Sequence, residues 1–315
     1  GPRGAPPAGR QSRVRGQVHA HWDGSVHRRR VGPRRVAAWT GMLAAAAALV
    51  LIVSRLDDRS APAPVPAAAG WVAKISGPQG AAHRAMSGGS ARPLAIDEAV
   101  RVGETIETGE GGRVGIRFAD GTSVRLDVSS RATLVGPRAI ELSDGAVYVD
   151  TGTGAHRLEI RTSLGTARDI GTQFEVRLVE GRLRLRVRTG AVELGDRSRS
   201  VTGHAGTEIL FSATEAESRP LAPFGPEWQW TVEVSPPIDI EGLPLATYLD
   251  RLAREQGWTV QYVDSTLIRD AGGIILHGSV AGLAPADALD VAIGTSGLAY
   301  RLDNGRLVVS RETSR

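Results

Sequence analysis

The sequence predicts a membrane-anchored chain whose folded part is an all-β domain followed by a small α+β module. Three observations carry this. Val36–Val53 is an uncharged apolar run of 18 residues, Val72 to about Phe211 alternates with a period of two, and helical spacing first appears after Pro244. The 315 residues suffice for one large or two modest domains, and 41% hydrophobic with 23% charged residues exclude a wholly disordered chain. Cysteine is absent, which excludes disulfide scaffolds, cysteine-ligated zinc and thiol catalysis.

Residues 1–35 hold nine arginines against the single acid Asp23, with Pro, Gly and Ser between them, and read as a basic disordered tail. Val36–Val53 spans roughly 27 Å as a helix, enough for a bilayer core of about 30 Å. Five arginines between Arg28 and Arg35 precede it, while Arg55, Asp57, Asp58 and Arg59 beyond it cancel. The positive-inside bias therefore puts the N-terminus in the cytoplasm. A cleavable signal peptide is the rival reading, although a 35-residue basic region and an 18-residue apolar core are both long for one. The pI near 10 belongs mostly to this tail. Residues 36–315 hold 29 basic and 33 acidic side chains, a net of −4, which argues against a nucleic-acid partner. Residues 54–70 form a Pro/Ala linker, extended and semi-rigid.

The β domain spans 71–211. Val114, Ile116 and Phe118 alternate, as do Phe174, Val176 and Leu178, and Leu183, Leu185 and Val187. Apolar residues share a face across a hairpin only if paired numbers keep a constant sum. That rule predicts two-residue loops at Glu180-Gly181 and at Asp144-Gly145, the latter pairing Leu142 with Val147. It predicts a three-residue loop Ala119-Asp120-Gly121, with Gly121 left-handed. A polar connector at 212–226 leads to the α+β module, 227–315. There helices are expected after Pro244, with a stop at Gly257, and over 285–293. Strands are expected at 231–234, 238–240, 259–263, 274–280, 298–302 and 306–310, the last pair joined by Asn304-Gly305. A repeat at an offset of 40 relates Gly242, Leu243, Ala246, Leu249, Asp250 and Gly257 to Gly282, Leu283, Ala286, Leu289, Asp290 and Gly297.

No catalytic or cofactor motif is present: nucleophile elbow, HExxH, Walker loop and dinucleotide fingerprint are all missing. Gly152-Thr153-Gly154 reads as a turn. His83, His156, His204 and His277 are scattered, so no metal ligand set is expected. Asp97-Glu98, Glu104 and Glu107 read as charged surface. Arg182, Arg184, Arg186 and Arg188 form the outer row of one strand, with Glu175 opposite Arg186 and Arg177 opposite Arg184. This row is either a solvated face or a patch for an acidic partner or lipid head groups. The Trp228–Trp230 pair and the open strand edges suit protein docking.

The run of motifs is specific in its order. It comprises Val102–Gly109 (VGETIETG), Gly112–Thr122 (GRVGIRFADGT), Leu142–Val149 (LSDGAVYV), Thr162, Gly171–Val176 (GTQFEV), Val187–Val192 (VRTGAV) and Ala205-Gly206. Over about 75–211 it resembles the FecR family of periplasmic signal sensors and sigma-factor regulators. Leu243–Asp250 (LPLATYLD) and its echo resemble the STN module of secretins and TonB-dependent receptors. The resemblance implies a non-enzymatic, single-pass inner-membrane regulator with a periplasmic C-terminus. Its implied partners are a TonB-dependent outer-membrane receptor and an extracytoplasmic-function sigma factor, with no cofactor. The family's cytoplasmic helical region of some 80 residues has only residues 1–35 in its place. Either the start is truncated, as Gly1 in place of Met indicates, or this member is an envelope adaptor without direct sigma-factor binding.

Overall fold

A computed structural model of the chain describes residues 73–85, 92–152, 157–294 and 296–312. The basic tail, the expected span at 36–53, the Pro/Ala linker, Thr153, Gly154 and His156 lie outside the described residues. Among the described residues no helix is long and apolar enough to cross a membrane.

The alternating segments form two nine-stranded sheets. The first runs, in spatial order, β18 (Ala216–Pro220), β17 (Thr207–Phe211), β14 (Arg182–Thr189), β13 (Gln173–Val179), β10 (Ala146–Asp150), β7 (Ser123–Leu126), β6 (Arg113–Phe118), β1 (Ala73–Gln79) and β4 (Ala99–Val100). The second runs β16 (Ser200–His204), β15 (Ala191–Gly195), β12 (Gly165–Asp169), β11 (Glu159–Thr162), β9 (Ala139–Asp144), β8 (Arg131–Gly136), β5 (Thr105–Thr108), β2 (Ala82–Ala85) and β3 (Arg92–Pro93). Neighbours are antiparallel except β9 and β11, which are parallel. One side of every long strand faces a shared core, where Ile116, Leu126, Val149, Phe174 and Leu185 of the first sheet join Ile106, Leu134, Ile140, Ile160 and Leu194 of the second.

The parity rule holds where both strands belong to one sheet. Leu178 pairs with Leu183 around Glu180-Gly181, and Leu302 with Leu307 around Asn304-Gly305. Ile116 pairs with Val124, which leaves the three-residue loop Ala119-Asp120-Gly121 with Gly121 at φ 89°. Asp144-Gly145 is different, and here the hairpin expectation fails. β9 belongs to the second sheet and β10 to the first, so the chain turns a corner between sheets. Leu142 and Val147 still enter the same core, because a corner preserves inward parity as well as a hairpin does. Gly145 makes the corner with φ 75°. Ser130 ties it down: Ala146 N–H donates to Ser130 Oγ at 2.9 Å, and that hydroxyl donates to Ala146 O at 3.2 Å.

The C-terminal module departs from expectation at three places. Residues 231–234 are not a strand: a 3-10 turn at Pro226–Trp228 leads into the short helix α1 (Gln229–Glu233). Proline at its start presets the helical φ, and Thr231 Oγ1 donates back to Trp228 O at 2.7 Å. Residues 238–240 form no strand, and 274–280 contributes only a bridge from Ile275 to Pro244. A helix α3 (Thr266–Gly273) was not foreseen, since two closing glycines mask the Leu267/Ala271 spacing that buries it. The predicted helices are present as α2 (Leu245–Gln256) and α4 (Pro285–Ile293). They pack on a three-stranded sheet ordered β19 (Thr259–Tyr262), β21 (Arg306–Arg311) and β20 (Leu298–Asp303). The offset of 40 is structural: turns closed by Leu243 N to Ile240 O and by Leu283 N to Val280 O precede α2 and α4, which lead into β19 and β20. The connector 212–226 contributes β18, an exposed edge strand. Ala69–Arg315 forms one compact unit.

Gly145 is expected to be less replaceable than Gly121. An added Cβ would lie 2.6 Å from Ser130 Cα at Gly145 but meets nothing within 4 Å at Gly121. Gly121→Ala is expected to cost about 1 kcal/mol for the left-handed backbone alone, and Gly145→Ala about 3 kcal/mol or more. Urea denaturation of both variants checks this, and equal losses would contradict the corner.

Candidate functional site

Alternation sends the residues between core positions to the outer face of the first sheet. The register lines five of them up, one per strand. Arg125 lies beside Tyr148, Tyr148 beside Glu175, Glu175 beside Arg186, and Arg186 beside Glu208. Such a row on an open sheet face would be solvated, yet all five are buried. The cover is the segment that follows β18. Gly115 permits its close approach: an added Cβ there would lie 3.1 Å from Val234 O.

Trp228 and Trp230 stand edge-on to the Tyr148 ring, with centroids 6.3 and 6.4 Å away, and with Val234 form a small core of their own. Trp230 Nε1 donates to Glu175 Oε2 at 2.8 Å. Arg125, 0% exposed, donates to Thr231 O at 2.7 Å and to the Glu255 carboxylate of α2 at 2.8 and 3.0 Å. Arg254 of α2 pairs with Asp150 of β10, and Gln173 Nε2 donates to Arg254 O at 3.2 Å. Arg186 bonds Glu208 at 2.6 Å and Glu227 O at 3.2 Å. The α+β module is thus seated on the β domain through buried and part-buried, charge-assisted hydrogen bonds, which are shorter and stronger than neutral ones.

Burial shapes the titration of this layer. It pushes the Tyr148 hydroxyl up to about 12, so the ring stays neutral. It also pushes the Asp127, Asp150 and Glu208 carboxyls up. The guanidiniums beside them more than reverse this: Arg177 and Arg113 on Asp127, Arg254 on Asp150, Arg186 and Arg219 on Glu208. All three end below the usual carboxylate range.

The four arginines singled out from the sequence are mostly committed within the chain, so the row is not an open patch. Arg186 is buried between acids and Arg188 lies under Trp228, while Arg184 bonds Glu175 at 2.9 Å and Arg182 sits part-exposed at the hairpin end. Trp228 and Trp230 are likewise occupied rather than free to dock. Glu98 pairs with Arg84 and Arg92, Glu104 with Arg84, and Glu107 with Arg131. Among the described residues no group of three or more His, Asp or Glu could hold a metal. Sequence reasoning missed Arg125, Tyr148, Asp150, Arg254 and Glu255. The available signal was the large polar or aromatic side chain at the outward position of three successive strands of the sheet.

A carboxyl depressed in the fold contributes stability that is complete above its unfolded value of about 4 and is lost as pH falls toward the folded value. Asp150→Asn removes one such group and leaves Arg254 without its carboxylate. It is expected to cost about 2 kcal/mol at neutral pH and to make the loss of stability between about pH 5 and pH 3 shallower than in the parent. Urea midpoints across that range check this; parallel acid losses would contradict the pairing.

Comparison with known proteins bears on the β domain. The sequence model of the FecR protein family matches residues 104–193. None of the curated proteins matches the chain. Two crystal structures of an anti-sigma factor candidate from Parabacteroides distasonis ATCC 8503 are similar at 16% identity, covering 66% of this chain and 99% of that one, with TM-scores of 0.36 and 0.35. The chain therefore carries a FecR-like segment within a mostly β domain, followed by a small helix-and-sheet module.

Proposed function

We propose that the chain is a single-pass inner-membrane signalling regulator that controls an extracytoplasmic-function sigma factor. The observation that carries this reading is the FecR family match over 104–193, which covers the motifs Gly112–Thr122, Gly171–Val176 and Val187–Val192. In this reading Val36–Val53 is the anchor, the arginine-rich N-terminus is cytoplasmic, and the β domain and STN-like module are periplasmic. The module receives the signal from a TonB-dependent outer-membrane receptor. The β domain passes it toward the anchor through β1, whose first residue follows the linker. The work is done by protein contact, without catalysis or cofactor.

Because the chain has no cysteine, a single introduced one reports its compartment. Glu217→Cys, on the exposed strand β18, is expected to react with a membrane-impermeant maleimide in spheroplasts, and Ser12→Cys only after lysis. The opposite pattern overturns the topology. Co-expression with an extracytoplasmic-function sigma factor encoded beside the chain is expected to yield a complex retained in the membrane fraction. Its absence favours an envelope adaptor.

A further inference from the structure

The strand β18 ends the first sheet, and all of its residues, Ala216–Pro220, are exposed. The phase of its ladder shows what its open side offers. Bonds from Leu221 N to Gly206 O and from Ser212 N to Glu215 O, both 2.9 Å, bracket the pairing with β17. Main-chain groups along an antiparallel strand turn alternately to one neighbour and to the other. Glu217 and Arg219 therefore turn theirs to β17, while Ala216, Ser218 and Pro220 turn theirs to the open side. Pro220, lacking an N–H, is tolerated in that phase. The open side thus presents the N–H groups of Ala216 and Ser218 and the carbonyls of Ala216, Ser218 and Pro220.

The side chains state which strand fits there. On the outer face Glu175, Arg186, Glu208 and Arg219 alternate in charge from strand to strand. Glu208 holds Arg219 at 2.6 Å, yet the Arg219 side chain stays 67% exposed at the end of the row, with room for an acid beyond it. Glu217, two residues earlier on the same face, is exposed, and among the described residues no cation pairs with it. β18 is therefore complementary to itself. A second copy laid antiparallel and centred on Ser218 sets each Glu217 against the other copy's Arg219. The two serines then exchange N–H and carbonyl, and each Ala216 N–H meets the opposite Pro220 carbonyl. The other two-fold registers are worse. Centring on Glu217 or on Arg219 opposes like charges, centring on Ala216 sets Glu217 against Glu215, and centring on Pro220 leaves the central pair without a donor.

We infer that two copies of the chain join edge to edge through β18, antiparallel about Ser218, so that the first sheet continues from one copy into the other. One short strand a side buries far less than the roughly 800 Å² per partner of a stable complex, so the dimer is weak and forms only at high local concentration.

Sedimentation velocity of the full chain in detergent, from micromolar to near-millimolar concentration, tests this. The parent is expected to pass from monomer to dimer. Glu217→Arg and Arg219→Glu each oppose like charges at both contacts, and each is expected to weaken the dimer by about tenfold or more. An equimolar mixture of the two variants is expected to associate as the parent does, because opposite charges then meet at both contacts. Arg219→Glu also faces Glu208 in its own chain, so Glu217→Arg and Ser218→Pro decide alone if that variant does not fold. Ser218→Pro removes the two central bonds and none to β17, and is expected to stay monomeric with the parent's circular-dichroism spectrum. A parent that is monomeric throughout, or a dimer that Glu217→Arg and Ser218→Pro leave unchanged, overturns the proposal. So does a mixture of folded variants that associates no better than either one alone.

Discussion

A charged side chain on the outer face of a sheet costs little while water reaches it and a great deal once a second layer excludes that water. The row Arg125, Tyr148, Glu175, Arg186 and Glu208 stands in the second condition. Each member is buried, and each charged one is answered by a partner, either in the row or in the segment laid over it. This sets the position of Trp228 and Trp230, the start of α1, and the end of α2, where Arg254 and Glu255 reach back to Asp150 and Arg125. Displacing the module would leave Arg125 and Arg254 without their carboxylates and bare two indoles, so it can leave its seat only if those partners are replaced.

That constraint suits a regulator better than a rigid scaffold. A seat built of ion pairs has a definite register and a definite alternative, because another set of charges can compete for the same partners. The β core beneath is apolar and continuous between two sheets, and is indifferent to whether the seat is occupied. The functional reading thus divides the molecule by its physics: an invariant core, and a polar seam at which a partner or ligand could act.

The core was legible in the sequence because alternation and hairpin parity are consequences of backbone geometry. Parity located the loops at Ala119–Gly121 and Glu180-Gly181 within one sheet. It misread Asp144-Gly145 because Leu142 and Val147 point inward whether the chain reverses or turns a corner into the facing sheet. Alternation also shows which residues leave the core, but not whether anything covers them. Arg186 and Arg188 therefore read as a surface row, although they lie under a layer that arrives some 40 positions later in the chain. Trp228, Trp230, Val232 and Val234 alternate like a strand, but the proline at 226 starts a helical turn there, and Trp228, Trp230 and Val234 are buried with Tyr148. The FecR-like motifs fall in the β domain; the seam between it and the α+β module had no local signature.

The seating of the module is tested most directly by a double-mutant cycle between Arg125 of the β domain and Glu255 of α2, using Arg125→Met, Glu255→Gln and the pair, with stability read from urea denaturation. Either single change is expected to be destabilising, and the pair is expected to lose less than the two losses added, with a coupling of about 1.5 kcal/mol or more. A coupling below about 0.3 kcal/mol would mean that the two groups do not meet in solution, and that the module is not held to the sheet in the way described.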